Sequence, residues 1–399
     1  MTFTGITRAL AASGFILAAG FAATPAFASA QGVGETEIVL GTHQDLSGPL
    51  TSWGVPVRNG LLMAFEEINA GGGVHGRQIR LVVEDTGYDP RRAVLATQKL
   101  INRDKVFAII AALGSPTVIA SMPLALRRGV PVLFPFTAAD QTYDPYHPLK
   151  FASNIPYVHA MRIGTRHFIE TEGVTRIGLL YQDDEFGLNV KRGAEIEAAA
   201  HGLEIVESTT YKRGATDFSS QIARLRAADA ELIVLGTVVR ETIGALQSAR
   251  SLGWDPIVLC SQACYTPEVH DLGGDTVNGI YAVSQTPIPY PDDPNPKLRE
   301  WVAKYNERFN LVANVQAVAA YTLARLFAEA LEKAGPEPTA ESFAQALVDM
   351  EPWVDPDLGG VPIDFNEGDH LGTKSGFLAQ IKDGRWITLT GPMSVEADG

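Results

Sequence analysis

Ile79-Arg80-Leu81-Val82-Val83, then Asp89-Pro90 heading a helical pattern with Val94, Leu100 and Ile101 on one face, then Val106-Phe107-Ala108-Ile109-Ile110-Ala111: this succession decides the fold. Two short apolar runs joined by an amphipathic helix read as parallel neighbours in one sheet, because parallel strands need a long crossover. Asp89 supplies an N-cap and Pro90 a first-turn proline for that helix. Upstream, Glu37–Gly41 reads as a strand. A loop of turn formers, Thr42 to Pro49, leads into a helix with Val57, Leu61, Phe65 and Ile68 on one face, closed by Gly71-Gly72-Gly73. Downstream, Gly114-Ser115-Pro116-Thr117 opens a helix that Gly129 closes, and Val132-Leu133-Phe134 is a fourth strand ending at Pro135.

A second alternating series follows Ser153, with strands at Ile177–Tyr181, Leu203–Val206, Leu232–Gly236 and Ile257–Cys260. Two such series predict an α/β protein of two lobes, each a parallel sheet flanked by helices, with ligand-facing loops at the carboxyl ends of the strands. Thr286-Pro287-Ile288-Pro289-Tyr290-Pro291 is too rich in proline for a central strand and reads as a crossover. Three helices come next, the longest over Ala313–Ala334, and the tail from Val361 is strand-like with a hairpin turn at Lys382-Asp383-Gly384-Arg385.

A chain of 399 residues with 46% hydrophobic and 20% charged content fits two globular domains. Its formal charge of -14, with no long like-charge block, speaks against a nucleic-acid groove or attraction to anionic lipid. Residues 1–30 differ from the rest: Arg8 is their only charge, Ala9–Ala23 is apolar, and Ala26, Ala28 and Ala30 are small. They read as a secretory signal, since the apolar run is shorter than the roughly 20 residues of a membrane span. The mature protein is expected outside the cytoplasm, with no membrane insertion. The two cysteines, Cys260 and Cys264, are compatible with a disulfide or with two buried thiols.

Enzyme signatures are missing from the sequence: there is no G-x-S-x-G elbow, no phosphate loop with Lys-Ser/Thr and no H-E-x-x-H. The eight histidines are scattered, and His159 and His167 suit no zinc spacing. Gly71-Gly72-Gly73 and Gly76 follow a helix and precede a strand, the wrong order for a dinucleotide loop. No catalysis, metal or cofactor is expected.

Ile68-Asn69-Ala70-Gly71-Gly72-Gly73-Val74-His75-Gly76-Arg77, followed by Val83-Glu84-Asp85-Thr86-Gly87-Tyr88-Asp89-Pro90 and Ala93-Val94, closely resembles a segment of the periplasmic leucine/isoleucine/valine-binding protein family. Leu46-Ser47-Gly48-Pro49 before Trp53-Gly54, Asp183-Asp184-Glu185-Phe186-Gly187, Thr216-Asp217-Phe218-Ser219 and Ala249-Arg250-Ser251-Leu252-Gly253 extend the likeness over nearly the whole mature chain. The resemblance implies a type I two-lobed binding protein, the extracytoplasmic component of an ABC importer. It closes by a hinge around one ligand and docks on a membrane permease. The lobes would comprise 31–153 plus 286–358 and 154–285 plus 359–399, crossing near Ser153, Gln285 and Gly359, in a periplasmic monomer.

The same resemblance assigns candidate contacts. Ser115 matches the serine that holds the ligand carboxylate, and Thr137 or Ala138 the groups after the fourth strand; helix N-termini suit an anion there. Trp53 and Phe186 match aromatic positions, and Phe136 adds a third ring. Gln262 stands where the family has the acid that neutralises the ligand ammonium, and Val238 where it has a tyrosine. From the residues themselves, Arg240 at a strand end is a candidate carboxylate partner, Glu241 or Asp183–Glu185 a substitute acid, and His43 a solvated loop histidine. Capping competes with ligand contact for Ser115, and core packing for Trp53 and Phe136. A buried ammonium without a carboxylate is costly. The favoured ligand is therefore an aromatic or apolar carboxylate, with a branched-chain amino acid as one alternative and a secreted sensory module as another.

Overall fold

The computed structural model describes residues 1–2 and 30–395. The expected leader over residues 1–30 thus lies, apart from its ends, outside the described residues. No helix among the described residues is long and apolar enough to cross a membrane.

The first unit runs β1 (Glu37–Gln44), α1 (Thr51–Ala70), β2 (Gln78–Asp85), α2 (Pro90–Asn102), β3 (Ala108–Ile110), α3 (Ser115–Arg127), β4 (Val132–Leu133) and β5 (Lys150–Phe151). Its sheet is parallel throughout, in the order β2-β1-β3-β4-β5. Helices cover both faces, and β1 is buried from Ile38 to Gln44 as a central parallel strand should be. The expected cap is present: the Asp89 carboxylate accepts from the Arg91 and Arg92 backbone N–H groups, with Pro90 in the first turn. Between α1 and β2 the chain reverses through Gly72 and Gly73. Gly73 has φ +76°, and a Cβ there would sit 1.9 Å from the Arg77 carbonyl oxygen, which only glycine avoids.

The second unit runs α4 (Tyr157–Glu172), β6 (Ile177–Gln182), α5 (Glu185–Ala200), β7 (Ile205–Tyr211), α6 (Ser219–Ala227), β8 (Leu232–Gly236), α7 (Val239–Ser251), β9 (Ile257–Cys260), α8 (Pro267–Gly273) and β10 (Tyr281–Ser284). The chain then returns to the first unit with α9 (Pro296–Phe309), α10 (Val315–Ala334) and α11 (Ala340–Val348), and a small hairpin of β11 (Trp353–Asp355) and β12 (Gly359–Ile363). Helix α10 lies against α1: the Phe65 and Phe327 rings meet edge-to-face, and Gly60 lets the Ala317 carbonyl come so near that a Cβ would stand 2.2 Å from it. The tail, β13 (Ser375–Lys382), β14 (Arg385–Thr388) and β15 (Met393–Ser394), completes the second sheet as antiparallel strands, in the order β14-β13-β10-β9-β8-β6-β7 with β15 on β13.

The α/β architecture of two sheets matches the sequence reading, and Leu232–Gly236 and Ile257–Cys260 are strands as expected. Several elements differ. β5 is a strand the sequence reading did not include; its Lys150 is 3% exposed because its ammonium donates to the Gln141 and Pro145 carbonyls at 2.8 and 2.7 Å. β7 extends to Tyr211, past the expected end at Val206, because this edge strand leaves its Glu207–Thr210 stretch polar. β1 extends to Gln44, so His43 is a buried strand residue, 1% exposed, and not a solvated loop histidine. Cys260 and Cys264 form a disulfide. The segment 359–372, expected with the second lobe, packs on the first sheet: β12 pairs with β11, His370 stacks on Phe151 at 3.8 Å, and Phe365 stacks on Phe134. The third passage to the second sheet therefore falls after Gly372, whose N–H donates to the Ala152 carbonyl.

Candidate functional site

The three passages between the sheets run side by side. The Gln285 side-chain amide donates to the Ser153 carbonyl and to Asn154 Oδ1 at 3.0 and 3.1 Å, and its oxygen accepts from the Ile155 N–H. Beyond this strap the carboxyl ends of strands from both sheets face each other, the position where open α/β sheets bind ligands.

On the first wall, α3 begins directly at the loop after β3. Gly114 takes φ +95°, and a Cβ on it would meet the Tyr88 ring at 2.6 Å, so the tight approach of loop to ring depends on glycine. The next residue, Ser115, is 2% exposed, and its hydroxyl lies 2.7 Å from the Thr137 hydroxyl in the loop after β4. Two hydroxyls at the N-terminus of a thirteen-residue helix form a neutral donor set aimed where an anion is stabilised. Tyr157, the first residue of α4, completes the group; its N–H donates to the Ala138 carbonyl at 2.8 Å. Burial pushes its phenol up to about 12, against the opposing effect of hydrogen bonds with Ser115 and Thr137. It stays a neutral donor at physiological pH.

The second wall is apolar where it faces the first. Phe186 meets the Tyr157 ring edge-to-face at 5.1 Å, and Val238 and Ala263 lie beside it. Behind it lie acids. Asp184 caps α5, accepts from the Gln182 amide at 2.6 Å and pairs with Arg213 at 3.4 Å; burial raises its pKa. Glu241, in the first turn of α7, is 1% exposed, one of its oxygens has no hydrogen-bond partner, and burial raises its pKa too. Across the mouth the walls are latched. Arg213 donates to the Tyr88 carbonyl at 3.0 Å and stacks over its ring, Gln182 donates to the Tyr88 hydroxyl at 3.3 Å, and Arg192 pairs with Asp140 at 2.9 Å.

The structure gathers most of the expected residues around two adjoining cavities between the walls. Trp53 and Phe136 border both, Ser115 and Phe186 the deeper one, and Thr137, Ala138 and Gln262 the one toward the strap. Gln262 is partly engaged, donating to the Ile155 carbonyl at 3.0 Å. Arg240 is not brought in: it is exposed on α7 and borders neither cavity. The helix turns its neighbour Glu241 inward instead. Asp183 and Glu185 are exposed, Asp183 paired with Lys212. Sequence reasoning missed Tyr88, Tyr157, Asn154, Tyr265, Gln285 and Gln316. Tyr88 sits in the quoted Asp85–Pro90 segment and Tyr157 follows a proline at a helix start, but nothing local distinguishes either from a packing aromatic. No residue bordering the two cavities is Asp, Glu, Lys, Arg or His.

A family model described as periplasmic binding protein matches residues 37–385. The chain is 27% identical over 368 residues to Leu/Ile/Val-binding protein homolog 7 of Brucella suis biovar 1, covering 88% of this chain and 91% of that one. Among solved structures, a substrate-binding periplasmic protein from Ralstonia solanacearum superposes with a TM-score of 0.80 at 26% identity, covering 88% of this chain and all of that one. A solute-binding protein of an R. palustris ABC transporter, in complex with benzoate, shares the fold with a TM-score of 0.79 at 18% identity over 90% of this chain and 98% of that one. The two sheets, the strap between them and the match across 37–385 lead to one conclusion: the chain belongs to the periplasmic binding protein family.

Proposed function

We propose that this protein is exported by the leader in residues 1–30, captures a small carboxylate with an apolar or aromatic body in the cleft between its lobes, and delivers it to an ABC permease. The lobes are residues 31–153 with 286–372, and 154–285 with 373–395. The observation that carries the ligand class is the uncharged lining of the cleft. The Ser115–Thr137 hydroxyl pair, the Tyr157 phenol and the α3 N-terminus serve a carboxylate without a cation. An α-amino acid would also bring an ammonium, whose burial without a carboxylate costs several kcal/mol. The benzoate held by the R. palustris protein agrees with this chemistry.

A second reading has one specific observation behind it: the partnerless oxygen of buried Glu241. A modest shift of α7 would turn it toward a ligand ammonium, and the leucine/isoleucine/valine name of the Brucella relative belongs to that reading. Calorimetric titration of the purified protein with leucine and with a hydroxycinnamate separates the two. Micromolar hydroxycinnamate binding with no leucine response is expected. The reverse pattern overturns the proposal and assigns the ammonium to Glu241.

A further inference from the structure

A cavity several times larger than those of the cleft lies outside it. It lies behind the strap, has a volume of about 340 Å³, and is bounded by all three passages between the lobes through Ser153, Thr286 and Thr373. Its walls are mostly apolar, with Leu298, Leu323, Trp353, Val361 and Phe377 among them. The cleft cavities measure about 60 and 20 Å³. Small-molecule sites begin at roughly 300 Å³. The latched cleft therefore has room for the head of a ligand and little more.

The hinge cavity and the cleft share Asn154, Gln285, Thr286 and Ala319 as bordering residues. They also share a wall. Val315, Gln316 and Ala319 of α10 face the cleft, and Val318, Ala319, Thr322 and Leu323, on the following turns, face the hinge cavity. At 1.5 Å per residue the stripe from Val315 to Thr322 is about 10 Å long. Partnerless buried atoms mark its course: Trp53 Nε1 and Gln316 Oε1 on the cleft side, Ser153 Oγ and one oxygen of Asp355 on the hinge side.

From this we infer that cleft and hinge cavity form one elongated site, and that the ligand is an extended carboxylate whose apolar body runs from Ser115 along α10 into the hinge cavity. The inference rests on the carboxylate reading above. Its physical content is a length dependence. Each methylene buried beyond the head strengthens binding about fourfold until the hinge cavity is filled. The Asn154–Gln285 amide pair stands at the junction, so a body passing it touches the segments about which the lobes turn, and long acids also favour the closed arrangement.

The test is calorimetry with straight-chain carboxylates from butanoate to dodecanoate, on the full mature chain and on Thr322→Trp, which fills the hinge cavity from α10 and leaves Ser115 and Thr137 untouched. Val361→Phe fills it from the β12 side, should the first variant fail to fold. Affinity is expected to climb with length to about decanoate in the natural protein. In the filled variant the climb stops early, with at least a tenfold loss for decanoate and no change for butanoate. Binding that peaks at the shortest acids, or decanoate affinity indifferent to both filling variants, overturns the elongated site and leaves the carboxylate reading standing. Absence of binding by every acid, the hydroxycinnamate included, overturns both.

Discussion

The two walls of the cleft solve different problems. The first offers hydroxyls and a helix N-terminus and no charged group: the Ser115 hydroxyl is held by Thr137, and Tyr157 borders the same cavities. The second presents Phe186, Val238 and Ala263 and keeps its charges behind them or at the rim. On the carboxylate reading proposed above, recognition of the ligand's head would belong to the first wall, and exclusion of water and latching to the second. A carboxylate bound to the first wall alone would remain half hydrated; closure of an apolar second wall raises the value of each neutral donor by lowering the dielectric around it.

The largest effect expected concerns what lies under the first wall. His43 is fully buried on β1, its Nε2 lies 3.1 Å from the Ser121 hydroxyl of α3, and burial lowers its pKa from 6.5 to about 4. A folded value below the unfolded one means that the stabilisation is complete above pH 6.5 and is lost as pH falls toward 4. This group accounts for about 3 kcal/mol across that window. Urea unfolding of His43→Gln at pH 7, 5.5 and 4.5 should show a shallower acid limb than the natural protein. An equally steep limb would place the loss elsewhere.

Next comes the head contact. Ser115→Ala should weaken carboxylate binding by about 2 kcal/mol, roughly thirtyfold, while thermal stability stays nearly unchanged, because a hydroxyl donating to a charged group contributes 1.5–3 kcal/mol. Unaltered affinity in calorimetry would reduce the hydroxyl to a partner of Thr137 and blur the distinction between the walls.

The smallest effect tests the second wall. The Glu241 pKa is raised above its ordinary 4.5 by burial, so its stabilising contribution is present below that value and disappears as pH rises. Glu241→Gln should therefore raise stability at pH 7, by about 1 kcal/mol, and leave carboxylate affinity within twofold. A collapse of leucine binding in this variant would instead make the second wall a partner in recognition.

Much of the frame was legible in the residues because periodicity and capping are local. The Asp89-Pro90 helix start, the glycine turn at 71–73 and the strands at 232–236 and 257–260 each follow from neighbours in the chain. Among the site residues, Ser115, Thr137 and Phe186 came from the family resemblance and not from local pattern, and the structure places all three on the borders of the cleft cavities. Elements that violated local rules were not legible. A buried lysine in β5 and a polar edge strand β7 depend on partners that only folding supplies.

Composition and order along the chain were enough to determine an α/β protein of two alternating units without an enzyme signature. Only the tertiary structure decided which of two adjacent charged residues, Arg240 or Glu241, points inward: the apolar residues of α7 pack on the second sheet, and Glu241 is buried with them while Arg240 stays exposed. It likewise decided that residues 359–372 stay with the first sheet, and that a cavity of about 340 Å³ opens behind the strap. Both follow from packing between segments far apart in sequence, where no pattern along the chain reports on the space left between them.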